Sequence, residues 1–146
     1  MIELKNKKEL IHLLGDICNS YMYIRDDLCV PYGITPVQYQ LLLDISHNGK
    51  SKVTAICKRM HKSTNVISPL INRLIKKGLL LKEKDKNDTR VFYISITKEG
   101  KLIIDEISLD IMDYSIPCFE GVTDEEVEIV NKYLKMVLEG IAKWDI

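Results

Sequence analysis

The sequence has no apolar run approaching the roughly 20 residues needed to cross a bilayer. It carries no Gly-rich phosphate loop, no nucleophile elbow and no metal-ligand spacing. The three histidines, His12, His47 and His61, stand without a partner pattern. The four cysteines, Cys18, Cys29, Cys57 and Cys118, form neither a C-x-x-C nor a Cys/His cluster, so they read as free thiols rather than a zinc site or a disulfide scaffold. Together these gaps set aside catalysis, metals, cofactors and membrane insertion as expectations. The segment Met1 to Lys8 leads into an amphipathic stretch rather than a signal-peptide core, which places the expected protein in the cytoplasm.

Net charge is also missing, with 21 Lys and Arg against 21 Asp and Glu, but the charges are not evenly spread. Residues 50–101 hold 14 basic and 4 acidic residues, a net of +10, and the remainder is −10. A basic middle between acidic ends is the asymmetry expected when one region faces a polyanion. At 146 residues the chain suits a single intertwined domain.

Apolar residues at Leu10, Leu14, Ile17, Tyr21, Ile24 and Leu28 alternate steps of four and three, which predicts a long first helix with a seam for a partner, ending before Pro31. Thr35-Pro36 opens a second helix as cap and first residue, with Val37, Leu41, Leu42 and Ile45 inward and Gly49 at its end. Ser51 is the expected cap of a third helix carrying Val53, Ile56, Cys57 and Met60, and Ser63 or Thr64 of a fourth carrying Val66, Ile67, Leu70, Ile71 and Leu74. The short polar turn between them makes a helix-turn-helix. Leu79 to Glu83 and Val91 to Thr97 read as strands joined by the polar turn Lys84 to Arg90, a β-ribbon with a charged tip. Thr97 caps a fifth helix that breaks near Pro117 and Gly121, and Thr123 with Glu126 forms a capping box for a last helix repeating Val127, Val130, Leu134, Val137 and Ile141.

The run from Ser63 to Gly100 contains a polar helix, the stop Arg73-Leu74 with Gly78-Leu79, the tip Asp88 and Arg90, and the closing Ile96-Thr97 before Gly100. This ordered set, with Gly33 to Tyr39 and the Thr123 box, closely resembles the MarR (multiple antibiotic resistance regulator) family over nearly the whole chain. The resemblance implies a mainly α fold with a small β-ribbon, a winged helix-turn-helix carried on N- and C-terminal dimerisation helices. The expected division is 1–32 for the first dimerisation helix, 33–100 for the DNA-binding region and 101–146 for the C-terminal helices. The expected function is sequence-specific regulation of transcription, as a repressor, by a homodimer on pseudo-palindromic double-stranded DNA. The competing reading is a winged-helix module that binds another protein.

Base edges are distinguishable in the major groove, and a helix fits there. The expected DNA-binding set is Ser51, Lys52, Ser63, Thr64, Asn65, Ser68, Pro69, Asn72, Arg73, Lys76, Asp88 and Arg90. Arg90 is expected to enter a narrow minor groove, with Asp88 holding its guanidinium. With a helix beginning near Asn65, Pro69 falls at about its fourth or fifth residue, where loss of one N–H is tolerated because the first turn leaves donors unpaired. The Ser68-Pro69-Leu70 pattern is similar to the organic hydroperoxide resistance branch of the family, which makes Cys18 the candidate redox sensor. A small aromatic ligand is the other implied effector, with His12, Tyr21 and Tyr39 as pocket candidates beside Tyr23, Arg25 and Tyr32.

Overall fold

The computed structural model describes residues 2–143; Met1 and residues 144–146, which close the two terminal segments named above, lie outside them. Two compact units are formed, residues 1–111 and 112–146. The first contains α1 (Ile2–Cys29), α2 (Pro36–Asn48), β1 (Ser51–Lys52), α3 (Val53–Met60), α4 (Thr64–Lys76), β2 (Leu80–Lys84), β3 (Phe92–Ile96) and most of α5 (Lys98–Ser115). The second contains a 3₁₀ turn at Ile116–Phe119 and α6 (Asp124–Ile141).

Helix starts follow their capping chemistry. Thr35 accepts from the Gln38 backbone N–H at 3.3 Å while the Gln38 side chain accepts from Thr35 N–H at 3.0 Å, a full capping box in front of Pro36. Thr123 and Glu126 repeat the device at α6, where bonds to Thr123 hold the Glu126 carboxyl below its usual range. Helix α4 stops as its sequence demands: Gly78 takes a φ of 73°, Gly78 N–H bonds Ile75 O at 2.9 Å and Leu79 N–H bonds Leu74 O at 2.9 Å. Helix α3 ends in the same pattern with His61 at φ 51°, a left-handed position that a glycine would hold without strain.

Two expectations are corrected. Ser51 does not cap α3; it lies in β1, and the N-cap position is Lys52, whose side chain makes no capping bond. Ser63 does occupy the N-cap of α4, yet its side chain caps nothing. Strand β1 was not expected at all. It exists because β3 offers an unpaired edge: Ser51 pairs with Ile94 and Lys52 with Tyr93, giving an antiparallel sheet in the order β1-β3-β2.

The core of the first unit gathers Leu41, Leu42 and Ile45 of α2, Ile56 of α3, Ile67, Ile71 and Leu74 of α4, Leu80, Ile94 and the α5 residues Ile104, Ile107 and Ile111. Helix α1 contributes only its end, Leu28 and Cys29; Leu10, Ile17, Tyr21 and Ile24 of the expected seam are exposed. Asp44 and Arg59 tie α2 to α3 through two parallel bonds, Nε to Oδ1 at 2.8 Å and Nη2 to Oδ2 at 2.6 Å.

Where the sheet meets α5, Thr97 Oγ1 donates to Gly78 O at 2.7 Å and accepts from Gly100 N–H at 3.0 Å. Gly100 is buried so closely that a Cβ there would collide with the backbone oxygen of Leu79 and lie 2.9 Å from Ile96 Cγ1. Gly100→Ala should therefore destabilise the protein by about 1–3 kcal/mol, read as a lower urea midpoint; an unchanged midpoint would show that α5 has room to move away.

Candidate nucleic-acid interface

Helix α4 has two opposite faces. Ile67, Ile71 and Leu74 are buried, and at 100° per residue the positions across from them are Asn65, Pro69, Asn72 and Lys76, all exposed. Arg73 flanks this stripe and is exposed; Ser68, on its other side, is half-buried. Ser63 and Thr64 are exposed at the helix start, with Thr64 Oγ1 3.8 Å from Cys57 Sγ. The polar stripe is thus a consequence of core packing, which fixes the rotation of α4 about its own axis.

Pro69 is the sixth residue of α4 rather than the fourth or fifth, because the helix starts at Thr64. The free first-turn donors do not extend that far, so the ring removes the N–H that would reach the Asn65 carbonyl.

The wing is organised by Asp85, which in sequence is one of several turn-forming residues between the strands. Its Oδ1 accepts from Asn87 N–H at 2.8 Å and Asp88 N–H at 3.0 Å, and its own N–H bonds Val91 O at 2.9 Å. Those two backbone donors hold the Asp85 carboxyl below its ordinary range, assisted by the Tyr93 hydroxyl. Asp88 in turn accepts from Arg90 N–H at 3.0 Å, from Arg90 Nε at 3.2 Å and from Nη2 at 3.4 Å. The expected brace on Arg90 is present: its guanidinium, foremost among the causes, lowers the Asp88 carboxyl, while the Arg90 side chain stays 89% exposed.

Lysines line the rest of the ribbon. Lys82 and Lys84 lie over the Phe92 ring at 4.3 and 5.8 Å, and Lys50 and Lys52 over Tyr93 at 5.2 and 5.7 Å. Lys52, Thr54, Arg90 and Phe92 border an open groove of about 360 Å³ between the ribbon and the start of α3. Not every cation is available. Arg59 is bound to Asp44, Lys50 to Glu83, and Lys77 donates to Gly33 O.

Ser51 leaves the expected contact set. It is 6% exposed, donates to Gly49 O at 2.9 Å and accepts from Arg59 Nη2 at 3.0 Å, so its hydroxyl is consumed inside the fold.

Of the effector candidates, Tyr39 is buried at 2% exposure with its hydroxyl 3.1 Å from Ser108 Oγ, and burial pushes its phenol up. Tyr21 and Arg25 lie near enough to Tyr39 to act on that phenol, Tyr21 raising it and Arg25 lowering it. His12 and Tyr21 are exposed on α1, nine residues or about 14 Å of helix apart. Tyr23 is exposed, whereas burial and the carboxylates of Asp110 and Glu106 push the Tyr32 phenol up. The Arg25 Nε is buried without a hydrogen-bond partner. Cys18 is exposed, and the buried thiol is Cys29, pushed up by burial. A separate apolar groove of about 380 Å³ lies within residues 112–146, lined by Ile116, Phe119, Val122, Val127, Val130 and Leu134.

A carboxylate held below its ordinary value keeps its bonds above the free Asp value of about 3.9 and loses them as pH falls through the lower folded value. The Asn87 and Asp88 amide resonances should therefore titrate together with a midpoint below about 3.9. Asp85→Ala should move both to loop-like shifts and leave core resonances in place. A midpoint at the free value, or unmoved amides in the variant, would contradict this account of the wing.

The model of the transcriptional regulator SarA/Rot family matches residues 24–107, more than half of the chain. The HTH-type transcriptional regulator YsmB of Bacillus subtilis is 33% identical over 103 residues, covering 70% of each protein. The HTH-type transcriptional regulator SarZ of Staphylococcus epidermidis is 28% identical over 104 residues, covering 70% of this chain and 68% of SarZ. A MarR family protein from Bacillus stearothermophilus has the same fold, with a TM-score of 0.86 at 22% identity over 95% of this chain and 97% of that one. Sequence and fold agree: the chain belongs to the SarA/Rot transcriptional regulators and has the fold of a MarR family protein.

Proposed function

We propose that this regulator acts as a homodimer that binds a pseudo-palindromic duplex, with α4 in the major groove and the Arg90 wing in the flanking minor groove, and that it represses transcription. The observation that carries the reading is the presence of two independent features within the +10 segment: the exposed polar stripe of α4, and an Arg90 side chain braced by Asp88 yet 89% exposed. The contacting set is Lys52, Ser63, Thr64, Asn65, Ser68, Pro69, Asn72, Arg73 and Lys76 with Arg90, and Asp88 serves as the brace. A solved structure of a mutant MarR from E. coli complexed with operator DNA shares the fold, with a TM-score of 0.69 at 21% identity over 93% of this chain and 96% of that one. The repressor sense is supported by MdtR of B. subtilis, named a transcriptional repressor and 31% identical over 75 residues, 51% of this chain and 48% of MdtR.

Dimerisation through the terminal segments, 1–32 and 101–146, rests on exposed apolar surface. Helix α6 buries none of its residues within the chain, and Val130, Leu134, Leu138 and Ile141 are exposed, as are Leu10, Ile17 and Ile24 of α1. Burying such helices against a second copy is the symmetric solution. No helix among the described residues is long and apolar enough to cross a membrane, and the cytoplasm is the compartment that fits a DNA partner. As regulation, an exposed Cys18 on the α1 surface is open to oxidants, and polar bulk there would disturb the dimer seam.

In equilibrium binding, log K should fall linearly with log salt by about 0.9 per phosphate contact. Arg90→Ala should weaken cognate binding by about tenfold and remove protection at the minor-groove flanks. A flat salt dependence, or an Arg90→Ala protein with unchanged affinity and footprint, would overturn the reading in favour of a protein partner. Cys18→Ser should abolish any loss of binding caused by organic hydroperoxide; a response that persists would remove Cys18 from regulation.

A further inference from the structure

Pro69 is out of place by the rules of its own helix. At the sixth of 13 positions it deprives the Asn65 carbonyl of its donor. No internal packing compensates, because the residue is exposed and absent from the core and from the apolar residues packed against it. A locally unfavourable residue on the surface that faces the partner is the pattern of a residue kept for contact.

Its neighbours say what it would contact. Asn65, four residues before, and Asn72, three after, share its stripe, and neither carboxamide has a hydrogen-bond partner among the described residues. From Asn65 to Asn72 the helix rises about 10.5 Å, which spans roughly three base-pair steps of 3.4 Å. A carboxamide matches adenine, donating to N7 and accepting from N6–H, and only thymine presents a methyl group in the major groove. Guanine is ordinarily taken by Arg or Lys, and no basic residue lies between Asn65 and Asn72. The first cations, Arg73 and Lys76, come at the far end of the stripe, nearer the phosphates.

Resting on the DNA-binding reading above, we propose that Pro69 is a specificity-determining residue whose ring meets a thymine C5-methyl in the major groove, between two adenines read by Asn65 and Asn72. Each half-site is then A·T at its centre and owes this preference to an apolar contact flanked by two carboxamides. The missing backbone donor is the structural cost of that contact.

The experiment is selection of bound duplexes from a random pool by the full-length protein, followed by replacement of each selected thymine with deoxyuridine, one at a time. Enriched half-sites should carry adjacent A·T pairs, and one thymine per half-site should show about fourfold weaker binding as deoxyuridine, the effect of about 0.8 kcal/mol for one methyl. Pro69→Ser restores the backbone donor and removes the ring. It should melt at or above the wild-type Tm and bind thymine and deoxyuridine duplexes equally, which separates lost recognition from lost folding. G·C centres, indifference to every deoxyuridine, or a Pro69→Ser protein that still discriminates would overturn the proposal. A pool with no enrichment at all would overturn the DNA-binding reading and this one with it.

Discussion

Helix α4 can show a partner one defined stripe only because the opposite stripe is fixed. Ile67, Ile71 and Leu74 lie against Leu41, Leu42 and Ile45 of α2, Ile56 of α3 and Ile94 of β3 in one close-packed core. Rotating α4 by one residue, 100°, would drive polar side chains into that core and Ile67 out of it. Burial, a term without direction, thereby sets the orientation of Asn65, Pro69, Asn72 and Lys76. The wing depends on the same core through β3, whose Ile94 is buried while the residues toward Phe92 carry the ribbon outward.

Charge is divided between architecture and recognition. Arg59 is committed to Asp44, and Lys77 to the Gly33 carbonyl, so two cations of the basic segment hold helices together. Arg90 differs because its partner Asp88 sits two residues away on the same loop and leaves the guanidinium exposed. Asp88 is itself set by Asp85, which ties the loop backbone before Arg90 is reached. An exposed pair of this kind adds little to stability; its effect is to limit where one cation can point.

The parts of the fold that follow from residue type were legible in the sequence. Thr35-Pro36, Thr97, Thr123 with Glu126, and Gly78 each name a local bond, and each bond is present. The Asp88 brace on Arg90 was legible for the same reason, being two residues apart. What escaped was set by tertiary context. Strand β1 has two residues and no periodicity, so only the free edge of β3 reveals it, and with it Ser51 moves from helix cap and DNA contact to a buried hydroxyl. Tyr39 is an aromatic residue of a kind that serves both pockets and cores; its bond to Ser108, 69 residues away, is invisible in sequence. The Asx turn at Asp85 is a local signal that aspartate in a polar turn carries, but Asp88 in the same turn carries it equally, and only the folded loop distinguishes the two. The depth of Pro69 in α4 turns on a helix boundary that two adjacent capping residues, Ser63 and Thr64, leave open by one position.

A dimer of this fold would bring a pair of recognition helices and a pair of wings to one duplex. The most direct measurement is a hydroxyl-radical and base-methylation footprint of the full-length protein on a selected duplex. Two protected major-groove patches about 34–36 Å apart, one helical turn, are expected, each bordered by a protected minor-groove flank. A single unrepeated patch, or protection confined to one groove, would contradict that arrangement.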